Sequence, residues 1–530
     1  MMTLLNPWTL LVWMALWAIL IQALGRRLPT WARAALAGAG MTVAAILAVA
    51  LRLSADSAPA ALPWPASLGR GPALAADAEM FPFAAILILA LAGAMLADVG
   101  AWNRWPRAGL LTAAALFSVY AENLLALAMA WVLLEVLTLG RSGAGEADDA
   151  SVGAWSAFWG SVGLAAILWV WHETQGVSLR PYEVAAWTPR ARMLLVGVAL
   201  IRMGVFPLVS RRLSQGAHGD SPLDAAALAP TVAGVALAQR AAFVGPLPQP
   251  QAVLWLGALG TLACGMAAWL HAEPRQRVAW ALGAPLGILL MMWAEGVAPA
   301  PLPFVAIAAS VGLGVGLWAV RWQTPQYWAW SPRRVVGVAL GLAPVAVACA
   351  GPLSPAMASV LGLWQSLLNR SGFVLLVFAL AGQMFAMAAL WHPGVAPSPA
   401  RDRIRMGVFA AWGLVALALA LGPRWALLLG GHTSAWGGVA LSPGAWAALV
   451  LPLLGATTLP ELGNLGDAWR EYGPSAGRIL GLGWLRRGVA ALGNRLALAL
   501  RGLETLLCSD DYVLWALVLL LGLVLMLGIL

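Results

Sequence analysis

The sequence predicts an all-α, polytopic membrane protein of about 14–16 transmembrane helices. Three observations carry that prediction. Of the 530 residues, 62% are hydrophobic and only 10% are charged, where a soluble chain of this size would be about a quarter charged. So apolar a chain cannot stay solvated, which excludes disorder as well. The apolar residues also fall in runs of about span length, and no stretch reads as a soluble domain.

Taken in order, the runs lie near 8–24, 32–51, 80–97, 108–121, 123–140, 153–171, 192–210, 223–244, 251–270, 278–294, 301–320, 335–368, 371–391, 404–422, 443–459 and 511–530. The first has no basic stretch before it and no small-residue cleavage pattern before Arg26, so it reads as a span rather than a removed leader. The sizeable pieces outside the bilayer are a loop at 52–79 and the segment 461–510. In the latter, apolar residues and arginines alternate at roughly helical spacing between Ile479 and Leu507, consistent with a helix lying in the interface or with a basic linker. The run 335–368 is read as one broken span, interrupted at Gly351-Pro352-Leu353-Ser354-Pro355. The expected organisation is N-terminal spans and an external loop over 1–79, a core over 80–390, further spans over 391–460, the basic segment 461–510 and a last span over 511–530.

The net charge is +9, and every basic residue is arginine. In so apolar a chain the arginines mark cytoplasmic loops rather than a nucleic-acid surface. Arg26, Arg27 and Arg33 follow the first span, Arg104 and Arg107 the third, Arg275 and Arg277 the ninth, and Arg401, Arg403 and Arg405 the thirteenth. All share one side if 335–368 is a single broken span, which places the N-terminus outside an inner or cell membrane. The three cysteines, Cys264, Cys349 and Cys508, are far apart, and the histidines sit in loops or at span edges. This chain alone therefore offers no iron–sulfur or zinc site, and no metal or other cofactor is expected.

Charges within spans are costly and ask for a reason. Glu135 sits in Trp131-Val132-Leu133-Leu134-Glu135-Val136-Leu137, with no arginine within a helical turn along the chain. A carboxylate so placed can accept and release protons; the alternative is a neutral Glu bonded to another helix. Arg202 lies in Leu200-Ile201-Arg202-Met203-Gly204, five residues before Pro207. Pro207 lacks the N–H that would bond the Met203 carbonyl, so it opens the helix beside a buried cation. The alternative has Arg202 reaching to the interface near Arg211 and Arg212. Arg240 reads as an interface anchor, and Glu295 sits at a span end.

Taken together, several of these stretches resemble the antiporter-like membrane subunits of respiratory complex I, Mrp-type cation/proton antiporters and membrane-bound hydrogenases. Glu122-Asn123-Leu124-Leu125 through Trp131 and Glu135 looks like the family segment that ends in a tryptophan and the key glutamate. Arg202 to Pro207, then Ser221-Pro222-Leu223, looks like the broken seventh helix and its following turn. Glu273-Pro274-Arg275-Gln276-Arg277, before Val278-Ala279-Trp280, is similar to the family's acidic and basic loop, and Gly351 to Pro355 to its broken twelfth helix. The resemblance covers roughly 80–390 and implies two inverted five-helix repeats, each with a broken helix at Pro207 or at Pro352 and Pro355.

It also implies a proton path through Glu135 and Arg202, and partner subunits, both membrane and peripheral, that carry any redox chemistry of an NADH:quinone oxidoreductase-type assembly. Three positions depart from the pattern. Arg202 replaces a lysine, Val232 falls where the eighth span carries a polar group, and Leu361 falls near the twelfth-span charge, with Ser359 close by. Arginine does not release its proton at accessible pH. The functions left open are a proton-translocating subunit, a non-conducting structural paralogue, and the membrane half of an inorganic-carbon uptake complex.

Overall fold

The structure is a computed structural model. It describes residues 6–25, 27–53, 59–62, 64, 71–77, 80–97, 103, 105–139, 147–174, 178–180, 183–184, 186–205, 225–242, 250–271, 280–296, 349–351, 357–370, 372–391, 442–458 and 491. Among them are thirteen helices and two short strands: α1 (Pro7–Leu24), α2 (Thr30–Leu53), β1 (Ala60–Ala61), β2 (Ala73–Leu74), α3 (Phe81–Ala97), α4 (Trp105–Tyr120), α5 (Leu124–Leu139), α6 (Ala147–Thr174), α7 (Pro189–Met203), α8 (Ala225–Ala242), α9 (Pro250–Leu270), α10 (Gly283–Glu295), α11 (Met357–Asn369), α12 (Phe373–Trp391) and α13 (Pro443–Thr458). The segment 461–510, apart from Ala491, and the expected last span 511–530 lie outside the described residues.

Helix is the form an apolar chain takes in lipid, because it satisfies its own peptide groups. Four described helices are long and apolar enough to cross a membrane: α1, α2, α9 and residues Phe373–Leu390 of α12. Residues 124–138, 283–295 and 443–456 are apolar but shorter. Two starts are set by side-chain caps ahead of a proline. The Asn6 carboxamide oxygen accepts from the Thr9 amide at 3.1 Å ahead of Pro7, and the Thr188 hydroxyl accepts from the Ala191 amide at 3.2 Å ahead of Pro189.

The helices pack in one bundle, with both sequential and non-sequential neighbours. α1 lies against α2 and α4, α4 against α5 and α8, α5 against α6, and α6 and α8 against α7; then α9 packs on α10 and α12, and α12 on α13. One hydrophobic core runs from Leu10 of α1 to Leu449 of α13, and a smaller one gathers Cys264, Trp280, Cys349 and Met387. Tryptophans stitch neighbouring helices: the Trp13 and Trp17 indoles donate to the carbonyls of Gly40 and Leu36. α9 and α12 approach until a Cβ on Gly265 would lie 2.0 Å from the Gly382 carbonyl oxygen, so neither helix tolerates a side chain there.

Two findings differ from the sequence-based boundaries. The loop 52–79 contains a hairpin, β1 and β2 pairing antiparallel with Ala60 opposite Leu74 and Ala61 opposite Ala73. It closes over the α4–α5 junction: the Ala75 amide donates to the Tyr120 carbonyl at 3.0 Å and the Glu122 amide to the Ala73 carbonyl at 2.9 Å. Alanine pairs leave no alternating pattern, which is why the strands were invisible beforehand. The seventh run was also expected to extend to 210, but α7 ends at Met203. Gly204 takes the left-handed conformation (φ 60, ψ 52) and its amide donates back to the Leu200 and Ile201 carbonyls. α7 thus stops at this glycine, three residues ahead of Pro207, which is outside the described residues.

Candidate ion-pair site in the membrane bundle

Trp131 and Glu135 stand one turn apart on α5, so their side chains share a face. That face meets α6 at two glycines. The Trp131 indole donates to the Gly160 carbonyl at 2.9 Å. A Cβ on Gly160 would lie 2.6 Å from a Glu135 carboxylate oxygen, and one on Gly163 would lie 2.0 Å from the Trp131 ring. The bare strip on α6 is what lets the carboxylate and the indole sit between helices.

Arg202 arrives from the last turn of α7. Its Nη1 donates to Glu135 Oε1 at 2.9 Å, its Nη2 donates to the Trp131 carbonyl at 3.2 Å, and its guanidinium lies 3.6 Å from the Trp131 ring centroid. Only 4% of Arg202 is exposed. Arg202 is turned into the bundle, and the carboxylate that stands alone along the chain is paired in space with a cation 67 residues away. Three physical terms hold the guanidinium: opposite charge, the indole π-face, and the carbonyl end of α7. From the other side, Gly234 of α8 packs on the α7 terminus, where a Cβ would be 2.5 Å from the Met203 nitrogen.

At its far end α5 is closed by Arg107, which donates to the Leu137 and Thr138 carbonyls, while the Thr138 hydroxyl donates to the Glu135 carbonyl at 2.9 Å. The helix that carries the carboxylate is therefore tied at both ends, by the Glu122–Ala73 strand contact and by Arg107.

Chemically, only one member of the pair can exchange a proton. Arginine stays cationic, so of the two group types only the carboxyl exchanges protons at accessible pH. Protonating it removes the charge that faces Arg202, whose contacts with the Trp131 ring and carbonyl do not depend on that charge.

Of the other sequence-derived positions, Pro207, Glu273, Arg275, Arg277, Pro352 and Pro355 lie outside the described residues. Arg240 is not an interface anchor. It is buried, with Nη2 donating to the Val119 carbonyl at 2.8 Å and lying 3.5 Å from Asp77 beside the hairpin. Glu295, at the end of α10, accepts from the Ser366 hydroxyl and pairs with Arg370 at 3.0 Å; its side chain is 3% exposed and that of Arg370 69%. Asp77, Gly160, Gly163 and the α12 residue Gln383 had not been singled out. The Gly160–Gly163 spacing, two small residues on one helix face, was the available signal for the α6 strip. Among the described residues no three His, Cys, Asp or Glu side chains converge in a metal-binding group.

No protein-family model matches the chain, and no curated protein matches it. Solved structures do. A chain of the Mrp complex from Dietzia sp. DQ12-45-1b aligns with a TM-score of 0.63 at 17% identity, over 99% of this chain and 63% of that one. The present chain thus spans less than two thirds of that Mrp chain. A chain of the membrane-bound sulfane sulfur reductase, an archaeal respiratory membrane complex, aligns with a TM-score of 0.61 at 16% identity, over 97% of this chain and 99% of that one. A chain of respiratory complex I from Thermus thermophilus aligns with a TM-score of 0.56 at 16% identity, over 79% and 98%. The motif resemblance around Glu135 and Arg202 and these structural likenesses converge on one conclusion: this is a polytopic membrane protein with the antiporter-like fold common to membrane subunits of Mrp and complex I-type assemblies.

Proposed function

We propose that the chain is the proton-translocating, antiporter-like subunit of a complex I-like or related ion-pumping assembly, with Glu135 taking and returning the proton and Arg202 its fixed counter-charge. The observation that carries this is the ion pair itself, buried where α7 ends at Gly204. An ionic pair set at a helix break inside an apolar bundle is expensive to keep unless it works. In this function the core 80–390 forms two inverted five-helix repeats, the N-terminus lies outside a cell membrane, and other membrane and peripheral subunits supply the driving reaction. A proton arriving at Glu135 neutralises the carboxylate and loosens its hold on Arg202, which stays stacked on Trp131; loss of the proton restores the pair.

A second function, a non-conducting structural subunit, is favoured by one specific feature. Val232 and Leu361, where the resemblance expects polar groups, are buried in the apolar core. Proton flux in proteoliposomes separates the two, measured for the purified parent assembly with wild-type chain and with Glu135→Gln. Flux lost in the variant is the expected result. Undiminished pumping in the variant, or no pumping by a folded wild-type assembly, would sink the proton-carrying role.

A further inference from the structure

In the second half of the chain, Cys349, Ala350 and Gly351 make a buried turn. Ala350 has φ 56, in the left-handed region that a residue with a Cβ seldom adopts, so the backbone here is not α-helical. Peptide groups turned out of a helix within a bundle need partners that lipid does not supply. One comes from α12: Gln383 donates its Nε2 to the Cys349 carbonyl at 2.8 Å. Gln383 is the eleventh of nineteen residues of α12, at mid-span, and is 0% exposed. The other end of its amide, Oε1, has no hydrogen-bond partner among the described residues. Burying an acceptor in that state costs free energy that a leucine at the same place would not. Cys264 of α9 and Met387 of α12 lie in the same apolar cluster as Cys349.

We propose that Gln383 and the Cys349–Gly351 turn form a water-binding site at mid-span. One O–H of the water donates to Gln383 Oε1 and the other to the second lone pair of the Cys349 carbonyl. This gives the water two protein partners and leaves its own lone pairs free to accept from a further water. A carboxamide does not titrate, so a proton passing here travels on the water and not on the side chain. Hydration of the site stands independently; its use as a step for protons rests on the function proposed above. The polar centre of the second half would then sit on α12, at a neutral residue, rather than on α11 near Leu361.

X-ray radiolysis of the purified full-length protein in lipid nanodiscs tests this, because hydroxyl radicals formed from bound water oxidise the side chains beside it. Cys349 is predicted to be oxidised at least ten times faster than the buried Met14 of α1, after correction for intrinsic reactivity, and Gln383→Leu should bring it down to the Met14 rate. Equal rates at Cys349 and Met14 in the wild-type protein would overturn the proposal, and that comparison needs no variant to fold. A Cys349 rate unchanged by Gln383→Leu would overturn it too. Glu135→Gln, which tests the proton-carrying function, should leave Cys349 labelling as it is, so the two ideas fail separately.

Discussion

At the scale of single residues, the buried pair sets an asymmetry that can be measured. Arg202→Ala removes the cation that faces the buried Glu135 carboxylate, at a cost of about 3–5 kcal/mol. The double variant Arg202→Ala with Glu135→Gln also removes the negative charge and should recover a large part of the loss. A double-mutant cycle on unfolding in detergent reads the coupling, and additive effects would mean that the pair does not form. Gly160 belongs to the same site by absence. Gly160→Ala puts a methyl against the carboxylate, 2.6 Å from Glu135 Oε2, and should cost about 1–3 kcal/mol as α5 and α6 are forced apart. An unchanged thermal midpoint would show that the helices part freely. The residues of the pair were legible in the sequence as costly charges in apolar runs, whereas their partnership was not. It depends on a contact between positions 67 residues apart, and only the motif resemblance placed both in one site. Gln383 stayed hidden for a different reason: a neutral amide inside an apolar run carries no charge signal.

At the scale of elements, the end of α7 and the hairpin are the informative pieces. Gly204 holds φ 60, so Gly204→Ala should destabilise the protein by about 1–2 kcal/mol and loosen the terminus that presents Arg202. Amide exchange at Met203 and Gly204 should accelerate accordingly. The hairpin is tied to α8 through Asp77 and Arg240 at 3.5 Å, a pair whose acidic member is partly exposed. Arg240 is buried, so Asp77→Ala removes the carboxylate that faces it and should cost more than the ~1 kcal/mol of an exposed pair. It should also speed hydrogen exchange at the Ala75 and Glu122 amides, which hold the hairpin to the α4–α5 junction. Helices were readable because lipid enforces them and hydropathy reports them. The strands were not, since two-residue pairings of alanine and leucine leave no period, and the stop at Gly204 was misplaced because the proline that follows is the louder signal.

At the scale of the whole molecule, the described helices form one continuous apolar bundle, and charge decides how it sits in the membrane. If arginine-rich loops face the cytoplasm, Arg277→Cys in a chain lacking its native cysteines should react with an impermeant thiol reagent only from the cytoplasmic side. Asp77→Cys, beside the hairpin, should react only from the opposite side. The reverse pattern would invert the topology. The overall fold was the most legible property of this sequence, because composition alone demands a membrane solvent.

The stacking of Arg202 on Trp131 has one more consequence, an optical one. A fixed positive charge 3.6 Å from the ring centroid perturbs the electronic transition of that indole. The chain has 30 tryptophans, but subtracting the spectrum of Trp131→Phe isolates this one. Opening and closing of the pair can then be followed in the intact assembly as a change in absorption, with no probe attached.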